Sequence, residues 1–277
     1  MLYYLGNLLL LTILYIVFNQ KRICEYYKPT KKTKKKKNTL IITYNIQKFP
    51  WSFKTFNAIK KLLNKHSIIL LQECFDDTYS TLQYNFPSYY ICKDTLKGIN
   101  LLGSGLVILS KYPIISYSSY TFKNMNYSTL DRLSQKGFLI CWIKINHKKV
   151  CIINTHLQSS NYHRYDKYAL LQLNELLQYV KNIKEMCIIG GDFNIDITDI
   201  IPNCKKYKSL IYNYPTDPTI YIDFKTGDSV SSYKEGYDRM TFDYFITKKC
   251  TIKPNTIYNN YSDHNPVSGL LVCNNNK

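Results

Sequence analysis

Six short apolar runs in this chain are bounded by polar side chains, a pattern that constrains the fold more than any other feature. Leu-Ile-Ile-Thr-Tyr stops on Asn45, and Ile-Ile-Leu-Leu-Gln stops on Glu73. Val-Cys-Ile-Ile-Asn-Thr stops on His156, and Met-Cys-Ile-Ile-Gly-Gly on Asp192-Phe-Asn194. Asp243 opens a Tyr-Phe-Ile run, and Ser262-Asp263-His264-Asn-Pro precedes the last one. Runs this short and this rich in Ile, Val and Leu read as buried strands. In layered α/β folds ligands sit where strand ends converge, so these six ends predict one shared cleft. Each residue alone says little, since Asp-Phe-Asn is equally a turn. The ordered set, each member tied to a strand, carries the argument.

The predicted strands cover residues 40–44, 68–72, 105–110, 137–145, 150–155, 186–189, 242–246 and 266–272. An amphipathic helix is expected over 53–63. Another is expected over 168–180, where Leu170, Leu171, Leu173, Leu176, Leu177 and Val180 fall near helical spacing. Strands interleaved with helices predict a layered α/β domain over 38–277. With only 10 Gly and 9 Pro in 277 residues, collagen-like and low-complexity classes are excluded.

The N-terminus reads differently. Residues 2–18 carry no charge, and seventeen residues at about 1.5 Å rise each is the lower limit for crossing hydrocarbon. A single-pass membrane anchor is therefore expected over 1–20, with a cleaved signal peptide as the rival reading. Residues 21–37 hold nine basic side chains against Glu25 alone, and read as a basic linker. Beside an anchor such a run would hold anionic lipid headgroups and stay cytosolic, leaving the main domain on the cytosolic face. Nine Cys without a CxxC pair point to reduced thiols. A formal net charge of +18 suits either anionic lipid or a nucleic acid backbone.

Taken together, Tyr-Asn45-Ile, Leu-Gln-Glu73, Asn-Thr-His156-Leu, Gly-Asp192-Phe-Asn194, Asp243-Tyr-Phe and Ser-Asp263-His264-Asn-Pro-Val resemble the endonuclease/exonuclease/phosphatase superfamily. The resemblance implies a DNase I-like four-layer sandwich, two mixed β-sheets flanked by helices, and metal-dependent cleavage of a phosphate ester. Carboxylate and amide oxygens without a Cys/His cage are hard ligands that suit Mg²⁺, with Mn²⁺ as the alternative. Glu73 is the expected principal ligand, with Asn45 beside it and Asp263 as a further candidate. By resemblance, His264 activates the attacking water and Asp243 orients its imidazole; Asp192 is the competing candidate for the base. Asn194 and His156 would donate to the phosphoryl oxygens from opposite sides.

Three further blocks are similar to neutral sphingomyelinases: Gly103-Ser-Gly-Leu-Val-Ile-Leu-Ser-Lys-Tyr-Pro, Asp131-Arg-Leu-Ser-Gln-Lys136-Gly-Phe and Asn154-Thr-His-Leu-Gln158-Ser. They imply hydrolysis of sphingomyelin, or a related phospholipid, to ceramide and phosphocholine at a membrane surface. Lys136 would meet the substrate phosphate, with Asp131 as its partner. The alternatives are a DNase I-like nuclease acting on nucleic acid and an inositol polyphosphate phosphatase. Abasic-site endonucleases carry a Tyr where His156 stands here. Inositol phosphatases carry Trp-Cys-Asp-Arg where this chain has Gly236-Tyr-Asp-Arg. A non-catalytic, membrane-tethered binding module is the remaining rival.

Overall fold

Among the described residues, strand alternation divides the apolar side chains among three large cores and a small fourth one of Ile220, Ile222, Met240 and Phe242. The computed structural model describes residues 22–32, 38–49, 54–75, 79–96, 103–126, 134–159, 167–203, 207–226 and 228–273. The strands of its first half are β1 (Arg22–Tyr27), β2 (Leu40–Lys48), β3 (Ile68–Cys74), β4 (Tyr90–Leu96), β5 (Val107–Ser110), β6 (Ile114–Thr121), β7 (Gly137–Ile145) and β8 (Lys148–His156). There follow β9 (Met186–Asp192), β10 (Leu210–Asn213), β11 (Ile220–Ile222), β12 (Ser229–Val230), β13 (Asp238–Met240), β14 (Asp243–Lys248), β15 (Cys250–Thr256) and β16 (Val267–Cys273). The helices are α1 (Lys60–Leu63), α2 (Tyr79–Asn85), α3 (Lys167–Lys181) and α4 (Ile197–Asn203).

One sheet has seven strands in the order β1-β4-β5-β3-β2-β16-β15, and a second has six in the order β10-β14-β9-β8-β7-β6. Both are mixed, with β2/β3 and β8/β9 the parallel pairs. Along β2 and β3, Ile41 and Leu70 point into the gap between sheets, where they meet Leu139, Ile152, Ile188 and Phe245. Their neighbours Ile42, Tyr44, Ile69 and Leu71 face outward onto Phe56, Leu63, Leu82 and Phe86. On the other sheet Phe138, Ile153, Ile189 and Tyr244 face outward onto Leu173, Leu176, Leu177 and Val180 of α3. The result is helix, sheet, sheet, helix. Each large apolar side chain removed from water this way contributes roughly 1.5–3 kcal/mol, which makes the alternation decisive for register.

The strands expected over 40–44, 68–72, 137–145, 150–155, 186–189 and 266–272 are present, most of them longer than the sequence indicated. The helix expected over 53–63 is reduced to a 3₁₀ turn at Phe56–Ala58 and the four residues of α1. Phe56, Ile59 and Leu63 still share one buried face, so the apolar spacing holds although the helix is short.

Residues 21–37 require a correction. Arg22–Tyr27 is not linker but the edge strand of the larger sheet, paired antiparallel with β4 from Arg22↔Leu96 to Tyr27↔Ile91. Cys24 and Tyr26 pack on the inter-sheet core; the surrounding lysines mask this alternation in a simple count of charge. Residues 22–27 therefore belong to the folded domain expected over 38–277. The anchor expected over 1–20 lies outside the described residues, and among the described residues no helix is long and apolar enough to cross a membrane.

Candidate active site

The inward parity that builds the core also delivers the polar side chains. Asn45, His156, Asp192 and Asp243 stand two positions from Thr43, Asn154, Gly190 and Phe245 on the inner faces of β2, β8, β9 and β14, where the apolar core gives out. On the six-stranded sheet they form one row of the ladder: Gly137 opposes His156, His156 opposes Asp192, and Asp192 opposes Asp243. Directly opposed side chains in such a row start about 5 Å apart. Lys136, just before Gly137, extends the row and sets its Nζ 2.9 Å from His156 Nε2. An ammonium only donates, so Nε2 accepts and the His156 proton sits on Nδ1. Burial, together with the Lys136 and His264 charges, holds the His156 pKa well below its ordinary value. The cation of this half is Lys136, and His156 is neutral.

Glu73 arrives by another route. By alternation it would face outward, but its φ of 53° lies in the left-handed region and turns the carboxylate into the cleft. Asn45 Nδ2 then donates to Glu73 Oε1 at 2.9 Å and to Asp192 Oδ2 at 3.0 Å, bridging the two sheets. The Gln47 N–H, donating to Asn45 Oδ1 at 3.1 Å, fixes the amide in that orientation.

His264 comes from the loop before β16. Its Nδ1 donates to Asp243 Oδ2 at 2.7 Å, and its Nε2 lies 3.6 Å from Asp192 Oδ2. Burial disfavours its charged form, but the carboxylates of Asp243 and Asp192 outweigh burial and lift its pKa well above the ordinary value. With the protein's own charges alone, the proton rests on His264 and the neighbouring lone pairs belong to Asp192. Asp192 Oδ1 accepts the Asn194 N–H at 3.0 Å, and Asn194 itself is left-handed (φ 49°) with Nδ2 donating to Leu157 O. Asn is one of the few residues that tolerates this conformation cheaply. Asp263 lines the same cleft with Oδ2 accepting from Ser229 Oγ at 2.5 Å. Asp131 lies outside the described residues.

Glu73, His156, Asp192, Asn194, Asp263 and His264 line a cleft of about 260 Å³. Of its apolar wall, Phe242 falls in the strand expected over 242–246, whereas Ile220 and Ile222 were missed in the sequence because the three residues of β11 are too few for any periodicity. Also unassigned were Gln72 and Asn154, one layer behind the site. Gln72 Nε2 donates to Asn154 Oδ1 across the sheets at 2.6 Å and to Thr43 Oγ1 at 3.0 Å. Asn154 Nδ2 donates back to Leu71 O and Val107 O. Both amides are fully buried, so these bonds offset a large desolvation cost. Asn154 faces Gly190 in the register, where a Cβ would stand 2.7 Å from Leu70 Cδ1.

The donor set fits a hard divalent cation. Burial pushes the Glu73 carboxyl up to about 7, against the opposing pull of Lys136 and Asn45. Burial likewise pushes Asp192 up to about 6, although His264 pulls it down. Asp243 Oδ1 is buried with no hydrogen-bond partner. The cleft thus holds more carboxylate than its own cations neutralise. Asp192, Asp243 and His264 place ligand atoms within 4.8 Å of one another. Imidazole is nevertheless a poor Mg²⁺ ligand, and His264 is already bound to Asp243, so Glu73 is the better principal ligand.

Known proteins resemble this chain in sequence and fold. Sphingomyelinase C of Bacillus cereus is 25% identical, matching 76% of this chain and 78% of its own length. Phospholipase C of Staphylococcus aureus is 28% identical over 59% of this chain and 58% of its own length. The chain spans only a third of Sphingomyelinase C 2 from Leptospira interrogans. Among solved structures, S. aureus beta toxin with bound magnesium ions superposes with TM-score 0.63 at 22% identity, over 85% of this chain and 99% of that one. D. rerio TDP2 complexed with a single-strand DNA product superposes with TM-score 0.59 at 14% identity, over 85% and 99%. The model of the Endonuclease/Exonuclease/phosphatase family matches residues 42–264, and the chain belongs to that family, whose named activities all hydrolyse phosphoric esters.

Proposed function

We propose that this chain is a Mg²⁺-dependent phosphodiesterase that cleaves sphingomyelin, or a related phospholipid, to ceramide and phosphocholine at a membrane surface. The observation that carries this reading is the buried Lys136–His156 pair facing Glu73 and Asp192 across one small cleft. A desolvated ammonium set against carboxylates that need a cation provides two positive poles, one supplied by the chain and one by the ion. A phosphodiester monoanion fits between them.

Glu73 is the ligand that would hold Mg²⁺, with Asn45 and Asp263 at hand, and Asn45 would have to rotate its amide to offer oxygen. The ion, when bound, supplies Lewis-acid polarisation of the phosphoryl oxygen. Lys136 neutralises the phosphate from the other side. Asn194 Nδ2, with one N–H used by Leu157, has its second for a phosphoryl oxygen. His264, steadied by Asp243, and Asp192 form the proton-transfer pair, one holding the proton and the other the acceptor. The narrow cleft with an apolar wall favours a single headgroup over duplex DNA. The membrane location follows from the uncharged residues 2–18, read as the anchor.

The test is the purified chain in Mg²⁺ with sphingomyelin vesicles and plasmid DNA in parallel. Phosphocholine release without nicking is the expected result. Nicking alone would replace this reading with the nuclease, and silence on both substrates would leave the binding module.

A further inference from the structure

We infer that the membrane-anchored N-terminus delivers the domain with its catalytic end against the bilayer, because β1 starts at that end. This rests on the proposed anchor at 2–18 and deepens the reading of the chain as an interfacial enzyme.

Strand polarity fixes the end at which β1 begins. The catalytic end is fixed by the C-terminal ends of β2 and β3, where Asn45 lies opposite Gln72 and Glu73 follows. β5 runs antiparallel to β3, so Val107, opposite Leu71, marks the same end. β4 runs antiparallel to β5, so it arrives there with Lys93 opposite Val107 and continues to Leu96. β1 runs antiparallel to β4 with Arg22 opposite Leu96. The first described residue therefore lies level with the catalytic cleft, three strands from β3 and roughly 14 Å to its side.

Residues 19–21 are all that separates Arg22 from the end of the apolar segment. Three residues reach at most about 10 Å. A tether that short, locked into a sheet by six paired residues, cannot let the domain turn over. The cations expected to grip the bilayer beside the anchor behave differently: β1 carries the chain about 17 Å away before Lys28, Lys31 and Lys32 follow it. At that far pole Thr30 and Lys31 bond Pro87 O, and Lys31, Lys32, Lys60 and Lys111 rim a separate cleft. The catalytic rim carries the exposed side chain of Tyr258, beside the His264 loop through the Ile257–Pro266 backbone bond, and the far pole carries an exposed tyrosine of its own, Tyr84, so strand polarity and not the aromatic side chains decides the orientation. The last strand completes the contrast: β16 starts at the catalytic end, Val267 opposite Thr43, and its C-terminus leaves from the far pole.

The experiment reconstitutes the full chain in vesicles of phosphatidylcholine, sphingomyelin and phosphatidylserine carrying a headgroup acceptor dye. A donor fluorophore is placed at position 258 in one sample and at position 84, at the far pole, in another. Stronger energy transfer from 258 is expected; equal or stronger transfer from 84 overturns the inference, as does a chain that fails to float with the vesicles. A second variant carries residues 1–18 behind Asn276 instead of at the N-terminus, three residues past β16. It should reverse the transfer pattern and lose about tenfold or more of turnover in its own bilayer, while matching the parent on detergent-dispersed substrate. Undiminished turnover in its own bilayer would count against the inference. If neither form cleaves any lipid, the proposed activity fails while energy transfer still decides the orientation.

Discussion

The two halves of the cleft are built by different means. The six-stranded sheet contributes His156, Asp192 and Asp243 as one ladder row placed by ordinary alternation, and Lys136 reaches them from the residue before β7. The seven-stranded sheet contributes Asn45 by alternation but Glu73 only through a left-handed backbone. One half is a consequence of the fold; the other needs a local exception to it. The exception is what turns a row of hydrogen-bonding groups toward an anionic pole able to take a dication. The Asn45 amide and the His264–Asp243 bond join the halves, and behind them lies the buried Gln72–Asn154 pair.

Breaking the seven-stranded half outright should have the largest effect. Chelation with EDTA, or Glu73→Ala, is expected to lower kcat by ~10² or more, with Mg²⁺ restoring the chelated wild type but not the variant. Unchanged turnover in purified Glu73→Ala would remove this residue from the metal site. Next, His264→Ala attacks proton transfer and should lower kcat by ~10² with Mg²⁺ affinity, read by calorimetry, preserved. A matching loss of Mg²⁺ affinity would move His264 into the metal half. Lys136→Ala should abolish most lipid turnover, by an order of ~10², with thermal unfolding unchanged, if it removes the charge proposed to meet the phosphate. Wild-type kinetics would show the ammonium to be structural.

The smallest change sharpens the comparison most. Gln72→Met keeps the volume and replaces a cross-sheet amide that leaves its own Oε1 without a partner. We expect kcat to fall about tenfold through loss of alignment between the halves, while Tm is retained or raised. A fall in Tm that accounts for the lost activity would make the pair a stability element only.

Legibility in the sequence followed run length. Strands such as β7 and β8, nine residues each with strong apolar character, were placed within a few residues. β1 was read as linker because lysines on either side dominated the composition, although Cys24 and Tyr26 alternate inward. β11 to β13 were invisible, since two or three residues establish no period, and Ile220 and Ile222 of the cleft wall went with them. The site residues were legible because each polar residue closes or opens a recognisable strand. Their roles were less so: nothing local in the sequence reveals that His156 is held neutral by burial and by Lys136, or that Glu73 adopts a positive φ.

By itself the sequence determined the strands, their two inner faces and the polar residues at their ends, because side-chain parity along a strand is a local property. Tertiary structure alone decided which ends meet. Strand order and direction bring Glu73 of one sheet to within 3.9 Å of His156 of the other, and they put Arg22 level with both. Those placements depend on pairings between residues far apart in the chain, which hydrophobic burial drives but only register can select.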